Sequence, residues 1–386
     1  MKTTVKIIAA LAVLFSAFVL GGCEKLGTEL SELMIMQGIG VDKTASGYRV
    51  TVEILNNEQL GSTEGAVSSD LTRVYSAEGK TVSQALYKLP AFNGSTPFFA
   101  HNRVIILGES VIKSGVYEVL DFFERDFNSR PTQQMCAAKG CEAADLLNAR
   151  LPSGDVRSEI LDDILFEAYL TTAAPRVRVV DAANRLNGET AALCIPAVSM
   201  KEEGKYNVYE LDGCAAFNTE GSFGTYISSE AAAGVQLLDG IINRGEITAP
   251  VENGKSASFV ILKGKTSYKI NTDGEYPTYF INTEILCDLN TVEGELPYSD
   301  EGDYIKALEM SAEKAVRERM YETVDFLKAN ELDPARFARR LMCADFDAYN
   351  KIKADWRTVY PKCKAEITVN VTLRRIGEET FHIKKR

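Results

Sequence analysis

The chain has 386 residues, 45% hydrophobic and 25% charged, which is the balance of an ordinary globular protein with a substantial core. Its formal net charge is −11, and there is no basic run beyond Lys384-Lys385-Arg386. That argues against nucleic acid or an anionic lipid surface as the main partner.

The amino terminus sets the address. Lys2 and Lys6 form a positive start, Ile7 to Leu20 is an uncharged stretch, and Leu20-Gly21-Gly22-Cys23 follows. A membrane-spanning helix needs roughly 20 apolar residues, so this run has the proportions of a secretory signal with small residues at its cleavage site. The pattern resembles the lipobox of bacterial lipoproteins. It implies a signal peptide over residues 1–22, cleavage between Gly22 and Cys23, and a diacylglyceryl group on Cys23. Two acyl chains give stable anchoring where one is marginal. The alternative is an ordinary secretory signal with Cys23 incidental. Two of the 43 basic residues and none of the 54 acidic ones lie in the signal, leaving the remainder at −13.

Seven cysteines follow: Cys136, Cys141, Cys194, Cys214, Cys287, Cys343 and Cys363. An odd set cannot pair completely, and these lack framework spacing, so they are read as buried free thiols.

Thr28 to Leu33 reads as a short helical lead-in. Met34 to Val41 and Tyr48 to Leu55 read as a hairpin, the second strand alternating Tyr48, Val50, Val52 and Ile54 with polar partners. Asn56 to Ser69 is a loop, Thr72 to Ala77 a strand, and Thr81 caps a helix to Leu89. Pro90 to Pro97 reads as loop and Arg103 to Leu107 as a central strand. A helix at 116–126, a strand at 133–138 and helices at 141–150, 155–172 and 178–186 come next, then a strand from 191 to 200. The polar turn Lys201 to Lys205 marks the expected division into domains 23–204 and 205–386. Beyond it lie a hairpin (206–218 and 221–228), a helix at 230–240 and extended segments at 256–270 and 279–288. The longest helix is expected at 303–330, Pro334 opens another, and 365–375 is the last strand. The fold class is α+β: mixed or antiparallel sheets covered by helices, in at least two domains.

Chemistry-bearing motifs are sparse. Gly79-Lys80-Thr81, Gly254-Lys255-Ser256 and Gly264-Lys265-Thr266 lack the earlier glycine of a phosphate loop and read as turns. Gly38-Ile39-Gly40 lacks the third glycine of a dinucleotide site. His101, beside Phe98 and Phe99, reads as a satisfied structural imidazole, and His382 sits in the charged tail. Cys136 and Cys141 make half a zinc site with no second pair. Spacing does not show which carboxylates converge, so an acid/base pair stays open among groups such as Asp121, Glu124, Asp126, Asp162 and Asp163. Trp356 is either core packing at a helix–strand junction or an exposed platform. No catalytic, cofactor or metal residue is assigned.

Several stretches, taken in order, resemble the spore germination receptor C-subunit lipoproteins, the Ger(x)C family of endospore formers. They are Gly38-Ile39-Gly40-Val41-Asp42-Lys43 with Tyr48 to Val52, Gly79-Lys80-Thr81, and Phe98 to Glu109 leading into Val119 to Phe123. Gly213 to Phe217, Trp356 to Pro361 and the closing strand to Arg375 complete the set. Members usually carry a tryptophan directly after the lipid cysteine, where this chain has Glu24. The resemblance implies a non-enzymatic lipoprotein at the outer face of the spore inner membrane. It would be a germinant receptor subunit assembling with integral-membrane A and B subunits, with no catalytic residues to carry over. Two other classes stand beside it, a tethered solute-binding lipoprotein and a tethered envelope hydrolase.

Overall fold

In a computed structural model, the described residues are 33–56, 71–99, 101–126, 129–152, 156–190, 192–218, 220–251, 254–294 and 300–376. Cys23, the lead-in at 28–32, most of the loop at 56–69 and His382 lie outside them.

The first sheet has nine strands. They are β1 (Leu33–Thr44), β2 (Gly47–Leu55), β3 (Thr72–Gly79), β4 (Thr96–Phe98), β5 (Val104–Leu107), β6 (Gln134–Ala138), β7 (Cys194–Glu203), β8 (Tyr206–Phe217) and β9 (Phe223–Ile227). Its order is β3-β2-β1-β5-β6-β7-β8-β9, with β4 beside the start of β1. The centre, β1-β5-β6-β7, is parallel, and antiparallel hairpins flank it on both sides. Val104-Ile105-Ile106-Leu107 is wholly buried, as a central parallel strand with both faces covered must be. The turn at 204–205 joins β7 to β8, so the first sheet continues across the division expected there and ends at Ile227.

Helices cover both faces. On one lie α1 (Val82–Leu86), α3 (Glu109–Ser114), α4 (Tyr117–Arg125) and α7 (Val179–Leu186), packed on Val50, Val52, Ile105 and Leu107. On the other lie α5 (Ala143–Leu147) and α6 (Arg157–Leu170), packed on Val104, Ile106 and Cys136. The short α2 (Pro90–Asn93) and β4 occupy the stretch read as loop, too brief to leave a periodic signal. α3 is likewise unanticipated: it has six residues, and Gly115 at φ +111° separates it from α4.

The second sheet holds β10 (Gly245–Pro250), β11 (Ser256–Asn271), β12 (Thr278–Val292) and β13 (Lys364–Arg375). β10 to β12 are antiparallel, but β13 joins β12 in parallel after a long helical crossover. That crossover contains α9 (Glu301–Ala329), α10 (Phe337–Ala344), α11 (Phe346–Ile352) and α12 (Trp356–Val359). α9 buries Leu308, Ala312, Val316, Met320, Val324 and Leu327 at helical spacing, and each fully buried large side chain contributes about 1.5–3 kcal/mol. Its Asp300 cap accepts from the Gly302 and Asp303 amides. α8 (Ser229–Asp239) lies between the sheets, and its core is continuous from Cys194, Cys214 and Ala216 to Phe259 and Val324.

Two readings need correction here. Gly264 is not in a turn; it lies within β11, next to a register shift, where a Cβ would meet Ile242 at 2.7 Å. Pro334 does not open a helix either. Residues 333–336 form a turn with Arg336 at φ +62°, and α10 starts at Phe337 because the Asp333 carboxylate takes its first amides.

α9 also closes the outer edge of β13. Ile367 N donates to Tyr321 Oη, Val371 N to Glu313 Oε1 and Leu373 N to Glu309 Oε1, at 2.9, 3.1 and 2.9 Å. Edge strands with free amides invite pairing with other chains; here one helix face supplies the missing acceptors.

Candidate functional site: buried carboxylates at the strand ends

Gly38-Ile39-Gly40-Val41-Asp42 lies on β1 and proves to be a seat for helices. A Cβ on Gly38 would come within 2.6 Å of Ser158, and one on Gly40 within 2.9 Å of Ala143. The two glycines therefore let α5 and α6 approach the sheet. Asp42 Oδ1 accepts from Ala143 N at 2.6 Å and Oδ2 from Ala144 N at 3.1 Å, capping α5 from across the fold. On the next strand, the fully buried Glu53 accepts from the Arg157 and Ser158 amides at 3.0 and 2.8 Å, and from Ser158 Oγ at 2.6 Å. The α6 amino terminus is thereby satisfied.

The carboxyl ends of β1, β5 and β6 bring a second acid to Asp42. Glu142, just before α5, hydrogen-bonds it, and Ser110 Oγ donates to Glu142 Oε2 at 2.7 Å. Gly108 closes the group: a Cβ there would stand 1.9 Å from Asp42 Oδ1 and 2.4 Å from Glu142 Oε2. Burial, and then the bond to Glu142, pushes Asp42 up to about 7, against the lowering effect of the two amides. The arrangement sets a second carboxyl against a buried one at a helix start. Beside it, Lys43 lies over the Tyr48 ring at 3.9 Å and pairs with Glu118 at 3.4 Å.

The second domain repeats the device. Asp333, buried, accepts from Phe337 N at 2.7 Å, Ala338 N at 2.8 Å and Trp356 Nε1 at 3.2 Å. Burial is the leading cause of its rise to about 6. Asp239 receives Arg336 and Arg340 from its own domain, and Arg185 of α7 at 3.8 Å. That contact ties the two domains electrostatically.

Of the residues singled out from sequence, Trp356 is core: it is buried and stacked on Tyr360 at 5.6 Å. His101, read as a structural imidazole beside Phe98 and Phe99, is exposed and tilted on the Phe98 ring at 5.9 Å. All seven described cysteines are free; five are buried, Cys141 is half-buried and Cys343 is exposed, against the buried reading. Burial holds Cys141 and Cys363 up at about 12. Among the described residues no group of three or more His, Cys, Asp or Glu could hold a metal. Asp121 pairs with Arg125, and Asp162 bonds Gln134 and lies 3.9 Å from Arg103. The convergent carboxylates are Asp42 and Glu142, which spacing did not single out.

Residues 27–200 match the family described as the spore germination protein N-terminal domain, and residues 212–377 the spore germination B3/GerAC-like C-terminal domain. Spore germination protein KC of Bacillus subtilis is 24% identical over 98% of both chains. Spore germination protein A3 of the same organism is 29% identical over 51% of this chain and 52% of its own. The crystal structure of the GerBC protein superposes with a TM-score of 0.58, at 21% identity, covering 90% of this chain and all of that one, a likeness of fold. With both domains matched in order across most of its length, the chain belongs to the Ger(x)C family of spore germination proteins.

Proposed function

We propose that the chain is the lipid-anchored C subunit of a nutrient germinant receptor. It is cleaved between Gly22 and Cys23, tethered through a diacylglyceryl group on Cys23, and held at the outer face of the spore inner membrane beside integral-membrane A and B subunits. The observation that carries this is the ordered match of both germination domains behind a lipobox-like Leu20-Gly21-Gly22-Cys23. No helix of the described residues is long and apolar enough to cross a membrane, and an acylated Cys23 supplies the membrane contact on this reading. The buried acids support an assembly role. Asp42, Glu53 and Asp333 have their oxygens committed to helix amides, which makes them fixings of a rigid body.

The test is a Cys23→Ala strain. The protein is expected to leave the membrane fraction of the spore, and the response to nutrients to fall by about tenfold or more in rate, as loss of a stable two-chain anchor implies. Normal nutrient germination with an unacylated protein would sink the reading.

A further inference from the structure

We infer that the crevice over Arg319, between the two domains, holds the carboxyl terminus of a partner chain with an apolar last residue and a basic residue before it. This rests on the assembly reading above and names one contact through which assembly would run. The crevice has a volume of about 230 Å³ and is walled by the end of α6, the start of α8, β10, β11 and α9. Its floor is Leu237, Ile247, Ile261 and Val316, all buried. Arg319 of α9 is half-buried in the same wall. Among the described residues its guanidinium makes no hydrogen bond and no ion pair within 4 Å. Glu230 feels that charge but is held by its own amide and by Ser228. Five donors beside an apolar floor call for an anion, and Ser229 adds the positive end of α8, a helix of 11 residues.

The walls are fixed from within the fold. Gly245 lets β10 start hard against α6, since a Cβ there would lie 2.8 Å from the Thr171 carbonyl oxygen. Thr172 sits at φ +60°, a costly conformation for a β-branched residue. It is held there by donating Oγ1 to Arg244 O at 2.5 Å and accepting from Asn243 N at 3.2 Å. Size and charge then select the occupant. Small-molecule clefts of about 300–1,000 Å³ bury most of their ligand. This one is smaller and its mouth is open, with Thr171, Glu230 and Glu246 exposed around it. It has room for one residue while the rest of a chain lies outside. The last residue of a chain brings an apolar side chain for the floor and a carboxylate for Arg319 together. Glu246 has no side-chain partner among the described residues, and with Glu230 it makes the mouth acidic. A lysine or arginine before the last residue completes the match.

The experiment uses the full chain in mild detergent and a fluorescein-labelled peptide ending Gly-Ser-Lys-Leu with a free carboxyl, read by fluorescence anisotropy. The free acid should bind at least about tenfold tighter than the same peptide with an amidated end. Arg319→Gln should bring the free acid down to the level of the amide and leave the amide unchanged. Glu246→Gln should weaken the lysine peptide about threefold, the scale of an exposed ion pair, and leave a peptide with serine in place of lysine unmoved. Circular dichroism checks that both variants fold. Equal binding of acid and amide, no binding up to about 1 mM peptide, or an Arg319→Gln protein that still prefers the acid overturns the proposal. So does free leucine competing as tightly as the peptide, which would make the crevice a solute site. The Cys23→Ala protein should bind the peptide as the wild type does, so a failure here and a failure of the anchor reading are separate results.

Discussion

Asp42 and Asp333 perform one task in two domains and differ in their third partner. Each gives both oxygens to two consecutive amides at a helix start, and burial lifts each above 3.8. In the second domain the third partner is the Trp356 indole N–H, which favours the anion. In the first it is Glu142, a second carboxyl, which favours the proton. The same cap is thus buffered toward charge in one place and toward neutrality in the other. Both raised values share one sign: the stabilisation is full below about 3.8 and is lost as pH rises through about 6 for Asp333 and about 7 for Asp42.

The largest effect is expected from Asp333→Ala, which strands three buried donors, Phe337 N, Ala338 N and Trp356 Nε1, in the aromatic core around Phe337 and Tyr360. A loss of about 3–5 kcal/mol should appear in the urea midpoint. A change under about 1 kcal/mol would mean the cap is dispensable.

Glu142→Gln comes next and probes the carboxyl beside Asp42. Gln keeps an acceptor for Ser110 and offers Asp42 a donor, so the second carboxyl is removed without emptying the seat under Gly108. The variant should gain on the wild type as pH rises from 5 to 8, by on the order of 1 kcal/mol, since burial still holds Asp42 up in both but only the wild type adds a neighbouring acid. Parallel urea-midpoint profiles for the two proteins would show that Glu142 does not raise Asp42.

Much of the frame was legible because it is local. The alternation of β2, the continuous apolar run of β5 and the stripe of α9 each state their burial within a few residues. The seats were not, because they are distant pairings. Asp42 lies 101 residues from Ala143 and Glu53 lies 105 from Ser158. Glu53 occupies the polar phase of an alternating strand, which reads as a solvent face until α5 and α6 cover it. A carboxylate among valines on an otherwise buried strand was the available signal. β13 was legible as a strand but not in its direction: its own alternation says nothing about direction, and only the crossover through α9 makes it parallel to β12. Cys343 reads like its buried relatives because a single cysteine in a helix carries no periodicity of its own.

Trp356→Phe gives the smallest and most discriminating shift. Phenylalanine retains much of the ring contact with Tyr360, and the loss from reduced ring volume should not depend on pH. What it removes is the donor to Asp333 Oδ2, a bond that matters to the anion and little to the acid. The gap between wild type and variant should therefore widen from pH 5 to pH 8, by about 0.5–1 kcal/mol, as Asp333 releases its proton. That slope is opposite to the one expected for Glu142→Gln, where the variant gains on the wild type over the same range. Urea midpoints followed by far-ultraviolet circular dichroism, with the fluorophore gone, would read both. Two slopes of the same sign would show that the third partner does not set the charge preference of these caps and that burial alone governs them.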